Sequence, residues 1–343
     1  MRELPKVSIV INNYNYGRFV GEAIDSALGQ TYPSVEVVVV DDGSTDGSRQ
    51  VIESRTSRVH AIFKANGGQA SALNAGFRAS SGELILFLDS DDVLLPSAAE
   101  TVVRHWRDGD PRMQFPLEVI DATGSPLGRV MGGSAVPSST LGPFGVGSPT
   151  SGNVFSRGLL KKIMPIPEEG WKIRADAYLV AASSLFGGVR ALQTPLARYR
   201  VHGGNRVACA HESLGELRES IRRQFLLHAE LVRLGGADVG SPERWLGAYP
   251  QHWVGRVTSL RESPHDHPWP DTLPGLMWRA IAATWRQPYW NLRRKVAYTA
   301  FVVGYSLSPH SIRHALGKLE GSARASLPNF LLGRKATDVS ELS

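Results

Sequence analysis

Three short runs of almost uninterrupted aliphatic residues dominate the first hundred positions: VSIVI at 7–11, VEVVVV at 35–40 and LILFL at 84–88. Each is followed by a segment with helical apolar spacing, and a weaker run, VHAIF at 59–63, repeats the pattern. Strands that are apolar along their whole length are buried on both faces, and parallel neighbours need a crossover helix between them. Residues 7 to about 105 therefore predict an α/β fold, a Rossmann-like and mostly parallel sheet with helices on both faces. The helices are expected over Phe19–Leu28, Thr45–Ser54, Gln69–Ala79 and Ser97–Trp106. Ser44 before the second, and Pro96 with Ser97 at the fourth, read as start signals.

After this the pattern changes. From Arg112 to Pro149 the chain loosens into Gly, Ser, Pro and Val, the composition of a lid or an acceptor-facing loop. Order returns at Asn153, with a helix carrying Leu179, Ala182 and Phe186, one strand over VRALQTPLARYRV, and a helix with Leu214, Leu217, Ile221, Phe225 and Val232 at three- and four-residue spacing. No internal repeat is present. The division expected is residues 1–210 as an α/β domain and 211–343 as a mainly helical, basic C-terminal region.

Carboxylates crowd the ends of the strands. VEVVVV runs into Asp41, Asp42, Gly43, Ser44, Thr45 and Asp46, and LILFL into Asp89, Ser90, Asp91 and Asp92. Neighbouring carboxylates repel, and a cation, a base or a ribose hydroxyl between them offsets that repulsion. In an open α/β sheet ligands bind beyond the carboxyl ends of the strands, where Tyr14, Asn15, Asn66 and Gly67 also fall. Such a crevice suits a nucleotide diphosphate held with a divalent cation. Asp91 is the expected metal ligand, Asp89 and Asp92 the neighbouring ribose or metal contacts, and Asp42 the acceptor for a base N–H. Asp46 is expected to cap the following helix. Neither GxxxxGK[ST] nor GxGxxG follows the first strand, which argues against a P-loop NTPase and a dinucleotide oxidoreductase.

Taken in order, VSIVINNYN, QTYPSVEVVVVDDGSTD, NGGQASALNAG, LILFLDSDD, SGNVFSR, ADAYL and YRVHGGN resemble the family-2 glycosyltransferases, inverting enzymes of the GT-A fold. The resemblance covers roughly residues 6–206. It implies that Asn12, Tyr14 and Asp42 contact the donor, the last two at its nucleobase, that Gly68 and Asn74 lie along it, and that Asp89, Ser90, Asp91 and Asp92 form the metal motif. It further implies Asp176 as the general base and His202 as a third metal ligand or phosphate contact, with Mg2+ or Mn2+ as cofactor. Members often carry Glu-Asp where this chain has Ala175 and Asp176. No QxxRW motif follows Asp176, which favours transfer of a single sugar over polymerisation. The expected donor is a nucleotide sugar, UDP-linked, and the expected acceptor a glycan or a polyprenyl-linked carrier, as in bacterial surface-polysaccharide assembly. Two rival readings are a sugar-phosphate nucleotidyltransferase and a non-catalytic scaffold of the same fold. The former normally opens with a Gly-rich loop where this chain reads NNYNYG.

The formal charge of +6 is unevenly spread: from Arg286 to Lys335 nine basic residues face Glu320 alone. That asymmetry suggests an anionic surface, phospholipid or nucleic acid, and with the motifs above no nucleic-acid partner is expected. VAYTAFVVGYSL at 296–307 is too short to span a bilayer, but with RRK before it and Trp285, Tyr289 and Trp290 nearby it suits a lipid interface or a packed core helix. IRHALGKL and LPNFLL follow. The single Cys209 gives no disulfide and no zinc site. With no signal-like N-terminus and no run of 18 apolar residues, the expectation is a cytoplasmic protein, either free or peripheral on the inner membrane face. His265 and His267, in the loop SPHDHPWP, are read as solvated.

Overall fold

The computed structural model describes residues 4–133, 148–203, 213–235, 239–247, 249–287 and 290–309. Cys209, the stretches IRHALGKL and LPNFLL, and the middle of the Gly/Ser/Pro-rich segment lie outside them. The chain divides into two compact units, residues 1–203 with 229–238, and residues 204–228 with 239–343.

The first unit is built on the four expected strands, β1 (Val7–Asn13), β2 (Val35–Asp41), β3 (His60–Phe63) and β4 (Leu84–Asp89). All are parallel, in the order β4-β1-β2-β3. Helices α1 (Val20–Leu28), α2 (Ser48–Glu53), α3 (Gln69–Ala79) and α4 (Ala98–His105) follow them in turn. Alternate strand residues face opposite layers. Ile9, Ile11, Val39 and Leu86 pack with Ile24 of α1 and Val102 of α4. Val10 and Val40 meet α3 on the other side, where Gly76 lets the helix approach: a Cβ there would lie 2.2 Å from Val10 Cγ1.

Beyond α4 the chain is more structured than its composition suggests. Strands β6 (Arg112–Gln114), β7 (Leu117–Ile120) and β8 (Pro126–Met131) occupy what reads as loop, and a short β5 (Val93–Leu94) precedes α4. Strand β9 (Asn153–Ser156) runs antiparallel between β4 and β6, and leads into α5 (Arg157–Ile163) and α6 (Ala175–Ser183). The single strand expected over VRALQTPLARYRV is two: β10 (Val189–Ala191) closes the seven-stranded sheet beside β6, while β11 (Ala197–Arg200) joins β5, β7 and β8 in a second sheet. Thr194-Pro195 sits at the break, where proline cannot donate to a ladder.

The second unit is helical. Helix α7 (Leu214–Gly235) has its first fifteen residues in the second unit and its last turns in the first. It is followed by α8 (Pro242–Leu246), α9 (Pro250–Glu262), α10 (Leu273–Trp285) and α11 (Leu292–Leu307). Trp253, Val257, Leu276, Ala280, Val302 and Tyr305 form the core between α9, α10 and α11. Arg256 is buried among the rings of Phe225, Trp253 and Trp269 and pairs through two nitrogens with Asp271, at 2.7 and 2.8 Å. His267 is part of this network, not solvated: its Nε2 lies 3.1 Å from Asp271 Oδ2 and its Nδ1 3.0 Å from Ser259 Oγ. His265 is exposed. No helix among the described residues is long and apolar enough to cross a membrane.

Candidate functional site

Strand register assembles the site. Asn12 of β1 lies beside Asp89 of β4, and Asn13 beside Asp41 of β2. These pairs are bonded: Asn12 Nδ2 donates to Asp89 Oδ1 at 3.1 Å, and Asn13 Nδ2 to Asp41 Oδ1 at 2.7 Å. Asn12 Oδ1 is buried with no hydrogen-bond partner, an acceptor left open next to Asp89. Tyr14, the next residue but one, is 43% exposed at the mouth of the crevice.

The antiparallel register of β9 adds a second set of groups. Pairing Leu84 with Ser156 and Leu86 with Val154 puts the turn before β9, Thr150–Gly152, against the end of β4. The Asp89 amide donates to Ser151 Oγ at 3.0 Å, and Ser151 Oγ donates to Asp92 Oδ2 at 2.6 Å. Thr150, the first residue of that turn, is buried, and its hydroxyl tempers the raised proton affinity of Asp89 and of Asp176. Asp176 sits in the first turn of α6, recessed but within reach of solvent. Arg174, just before α6, holds a left-handed backbone (φ 59°), unusual for a residue with a side chain.

Gln69, the first residue of α3, ties the two carboxylate groups together. Its Oε1 accepts the Ala175 N–H at 2.9 Å and its Nε2 reaches Asp89 Oδ1 at 3.5 Å. Its own N–H donates to the Lys172 carbonyl, and that of Ala70 to Trp171, so the loop before α6 satisfies the first amides of α3. Gly68 (φ 87°) is required there, since a Cβ would lie 2.6 Å from Lys172 Cα.

Strand β11 closes the other side. Arg200, 2% exposed, stacks over Phe19, donates from Nε to the Asp91 carbonyl at 2.9 Å and pairs with Glu22 at 2.6 Å. Two residues on, His202 Nε2 lies 3.1 Å from Asp91 Oδ2, its ring packed between Phe19 and the edge of Tyr16.

This crowding shapes the acid–base behaviour of the site. Burial, then repulsion from Asp91 and Asp176, pushes Asp89 up to about 7. Burial raises Asp91, against the hydrogen bond from His202. Asp92 is raised by burial and by its two neighbours, and Asp176 chiefly by burial. Each charged form is thus costly, and a bound cation or positively polarised ligand relieves the cost.

Several expected roles change in the light of these partners. Asp92 was expected near the metal, but it is 1% exposed, with Oδ1 accepting the Arg200 N–H and Oδ2 the Ser151 hydroxyl. It braces the loop from inside. Asn74 was expected along a donor; it is 2% exposed and spends both ends of its amide on the backbone of Ile166, at 2.8 Å each. Asp42, 2% exposed, already accepts from Lys64 Nζ (2.6 Å) and the amides of Gly67 and Gly68, which leaves little of its carboxylate for a base N–H. Ser90 is buried. Asp46 takes the Ser48 N–H at 2.9 Å as expected of a cap; Ser44 instead bonds Asp41 and the Asn15 amide. Sequence reading missed Gln69, Thr150, Ser151 and Arg200. Their only signals are a Thr-Ser-Gly turn before a strand and a glutamine opening a helix after two glycines.

A divalent cation fits part of this arrangement. Among the described residues no three Asp, Glu, His or Cys side chains form a ready-made metal cage. Asp91 Oδ2 and His202 Nε2 do offer an adjacent hard oxygen and an imidazole nitrogen. Cations that bind through one or two side chains plus phosphate oxygens need no more than this.

A family model described as Glycosyl transferase family 2 matches residues 8–117. The uncharacterized glycosyltransferase alr2836 of Nostoc sp. is 37% identical over 223 residues, covering 62% of this chain and 69% of that protein. Glycosyltransferase GlyG of Streptococcus pneumoniae is 35% identical over 108 residues, 30% of this chain and 36% of its own. Among solved structures, S. aureus TarS 1–349 in complex with UDP-GlcNAc aligns over 98% of this chain and 95% of its own, with a TM-score of 0.52 at 18% identity. At that identity the likeness speaks for the fold.

Proposed function

Because the chain belongs to glycosyltransferase family 2 and has the GT-A fold, we propose that it is an inverting, metal-dependent enzyme that moves one hexosyl or N-acetylhexosaminyl unit from a nucleotide sugar, UDP-linked, to a glycan or lipid-linked acceptor. The catalytic domain in this reading is residues 1–210. The observation that carries the proposal is the bridge Gln69 makes between Asp89 and the first turn of the helix that bears Asp176, which supports reading the two as a donor-side carboxylate and a base of one site.

Asn12 and Asp89 would face the donor's ribose, and Tyr14 its base, with Asp42 reached if Lys64 gives way. Asp91 and His202 would hold Mg2+ or Mn2+, which when bound offsets the charge of the departing diphosphate. Asp92, Ser151 and Arg200 hold the loop that presents Asp91. Asp176 would take the acceptor hydroxyl proton as its oxygen forms the new bond to the anomeric carbon and the bond to the diphosphate oxygen breaks. Burial, by raising the proton affinity of Asp176, makes it a better base than a free carboxylate. A lipid-linked acceptor would bring the enzyme to the membrane face during bacterial surface-polysaccharide assembly.

The test is binding and turnover of a nucleotide-sugar panel with Mn2+, Mg2+ or chelator. Asp91→Ala is expected to lose metal-dependent donor binding, and Asp176→Asn to keep donor binding while losing turnover by a factor on the order of 10²–10⁴. A chain that binds no nucleotide sugar with metal present, or an Asp176→Asn variant with full turnover, refutes the reading.

A further inference from the structure

Helices α10 and α11 carry a surface of unusual composition. From Thr272 to Leu319 the chain contains no Asp or Glu, and its described part holds Arg279, Arg286, Arg293, Arg294 and Lys295. Helix α11 has two faces. Val302 and Tyr305 are buried against α9 and α10, whereas Leu292, Val296 and Leu307 are 65%, 52% and 63% exposed. At helical spacing these three share one stripe with the exposed Ala300 and Gly304. The core reading of this segment therefore holds for one side of it, and the other side is exposed.

Helix α10 extends the apolar surface. Trp278 and Trp285 are seven residues apart, hence on one face, and are 72% and 47% exposed. Trp285 joins the two helices: its indole N–H donates to Thr299 Oγ1 at 3.2 Å, and its carbonyl accepts from Lys295 Nζ at 3.0 Å. That ties Trp285 to α11 through Lys295 and Thr299, which follow Leu292 and Val296 by three residues each and so neighbour them on the helix surface. Arg286 directly follows Trp285 and Arg293 directly follows Leu292, and both are exposed.

We propose that this α10–α11 face docks on a bilayer surface rich in anionic lipid headgroups. Tryptophan rings favour the boundary between headgroup and acyl chain, and arginines beside them meet the phosphates. Charge complementarity selects this occupant. A second copy of the same face would set the exposed Arg286 and Arg293 against their own counterparts, and α11, at 16 residues, is suited to lie in the interface and not to cross it. The inference rests on this surface alone and stands or falls independently of the catalytic reading.

The experiment is co-sedimentation of the full chain with phosphatidylcholine vesicles, with and without phosphatidylglycerol, at low and high salt. Two double variants are compared, Arg286→Gln with Arg293→Gln and Trp285→Ser with Val296→Ser, each checked for an unchanged circular dichroism spectrum. Binding is expected only with phosphatidylglycerol, weakened by salt, and reduced about fivefold for each arginine removed. The Trp285/Val296 pair is expected to weaken it by at least about tenfold. Equal binding to neutral vesicles, no binding to either, or binding unchanged in both double variants overturns the proposal; the last would place the lipid contact elsewhere in the chain. Lipid-free self-association abolished by the Trp285/Val296 pair would assign the face to a second copy, and overturns it too.

Discussion

Replacing Glu36 by glutamine should destabilise the protein near neutral pH by about 2–3 kcal/mol, and the loss should fade as the solution is acidified. Glu36 lies at the start of β2, across from Ser8, at the sheet edge opposite the candidate site. Its carboxylate accepts from Lys6 (2.7 Å), Ser8 Oγ, the Ser81 amide and hydroxyl, and the Gly82 amide (3.0 Å). Burial alone would raise its pKa; these donors outweigh burial and bring it from 4.5 down to about 2. At about 1.4 kcal/mol per unit this amounts to about 3 kcal/mol favouring the folded state. The folded pKa is depressed, so the contribution is complete above pH 4.5 and is lost as pH falls towards 2. Glutamine keeps the shape but loses the charge, and turns an N–H₂ group towards donors. Urea unfolding of both proteins, followed by tryptophan fluorescence from pH 7 to pH 3, measures the difference. It should narrow by about 2 kcal/mol between pH 4.5 and pH 3. A penalty of constant size across that range would mean that packing, not the charge, is responsible; no penalty at pH 7 would refute the reasoning outright.

Asn74→Ala should lower stability by about 2–4 kcal/mol, because it strands a buried N–H and C=O of Ile166, while leaving donor affinity unchanged; calorimetric melting and donor titration separate the two. Gln69→Leu should leave the fold intact and reduce kcat about tenfold with little change in donor KM, since it frees the Ala175 amide that orients the helix of Asp176. A KM effect without a kcat effect would place Gln69 on the donor instead. Gly76→Ala, which would drive a Cβ into Val10, should cost about 1–3 kcal/mol, seen as a lower urea midpoint with an unchanged m-value.

The sequence was most informative where structure is local. The extent of α3, Gln69–Ala79, matches the reading residue for residue, and the parallel core follows from runs such as VEVVVV that cannot face water on either side. The meeting of strand ends also follows, because parallel register aligns Asn12, Asn13, Asp41 and Asp89 once the strands are known. What escaped depends on partners far along the chain. Asp91 and Asp92 are adjacent and chemically identical, yet Asp92 is turned inward by Ser151 and by the Arg200 amide. Asn74 is claimed by Ile166, 92 residues away. Strands β5, β10 and β11 span two to four residues, too few for an alternating pattern to register. His267 looked solvated because its partners, Ser259 and Asp271, are invisible as partners until a helix and a loop are packed together.

The direction of β9 has a further consequence for how such an enzyme can change over time. Parallel strands deliver to the crevice whatever follows them, whereas β9 delivers what precedes it, the turn bearing Thr150 and Ser151. That turn is self-anchored: Asn153 Nδ2 donates to the carbonyls of Ser148 and Pro149, and Ser148 Oγ to that of Phe115. A change of length or sequence in residues 134–147 therefore meets a clamp before it reaches the groups that hold Asp89 and Asp92.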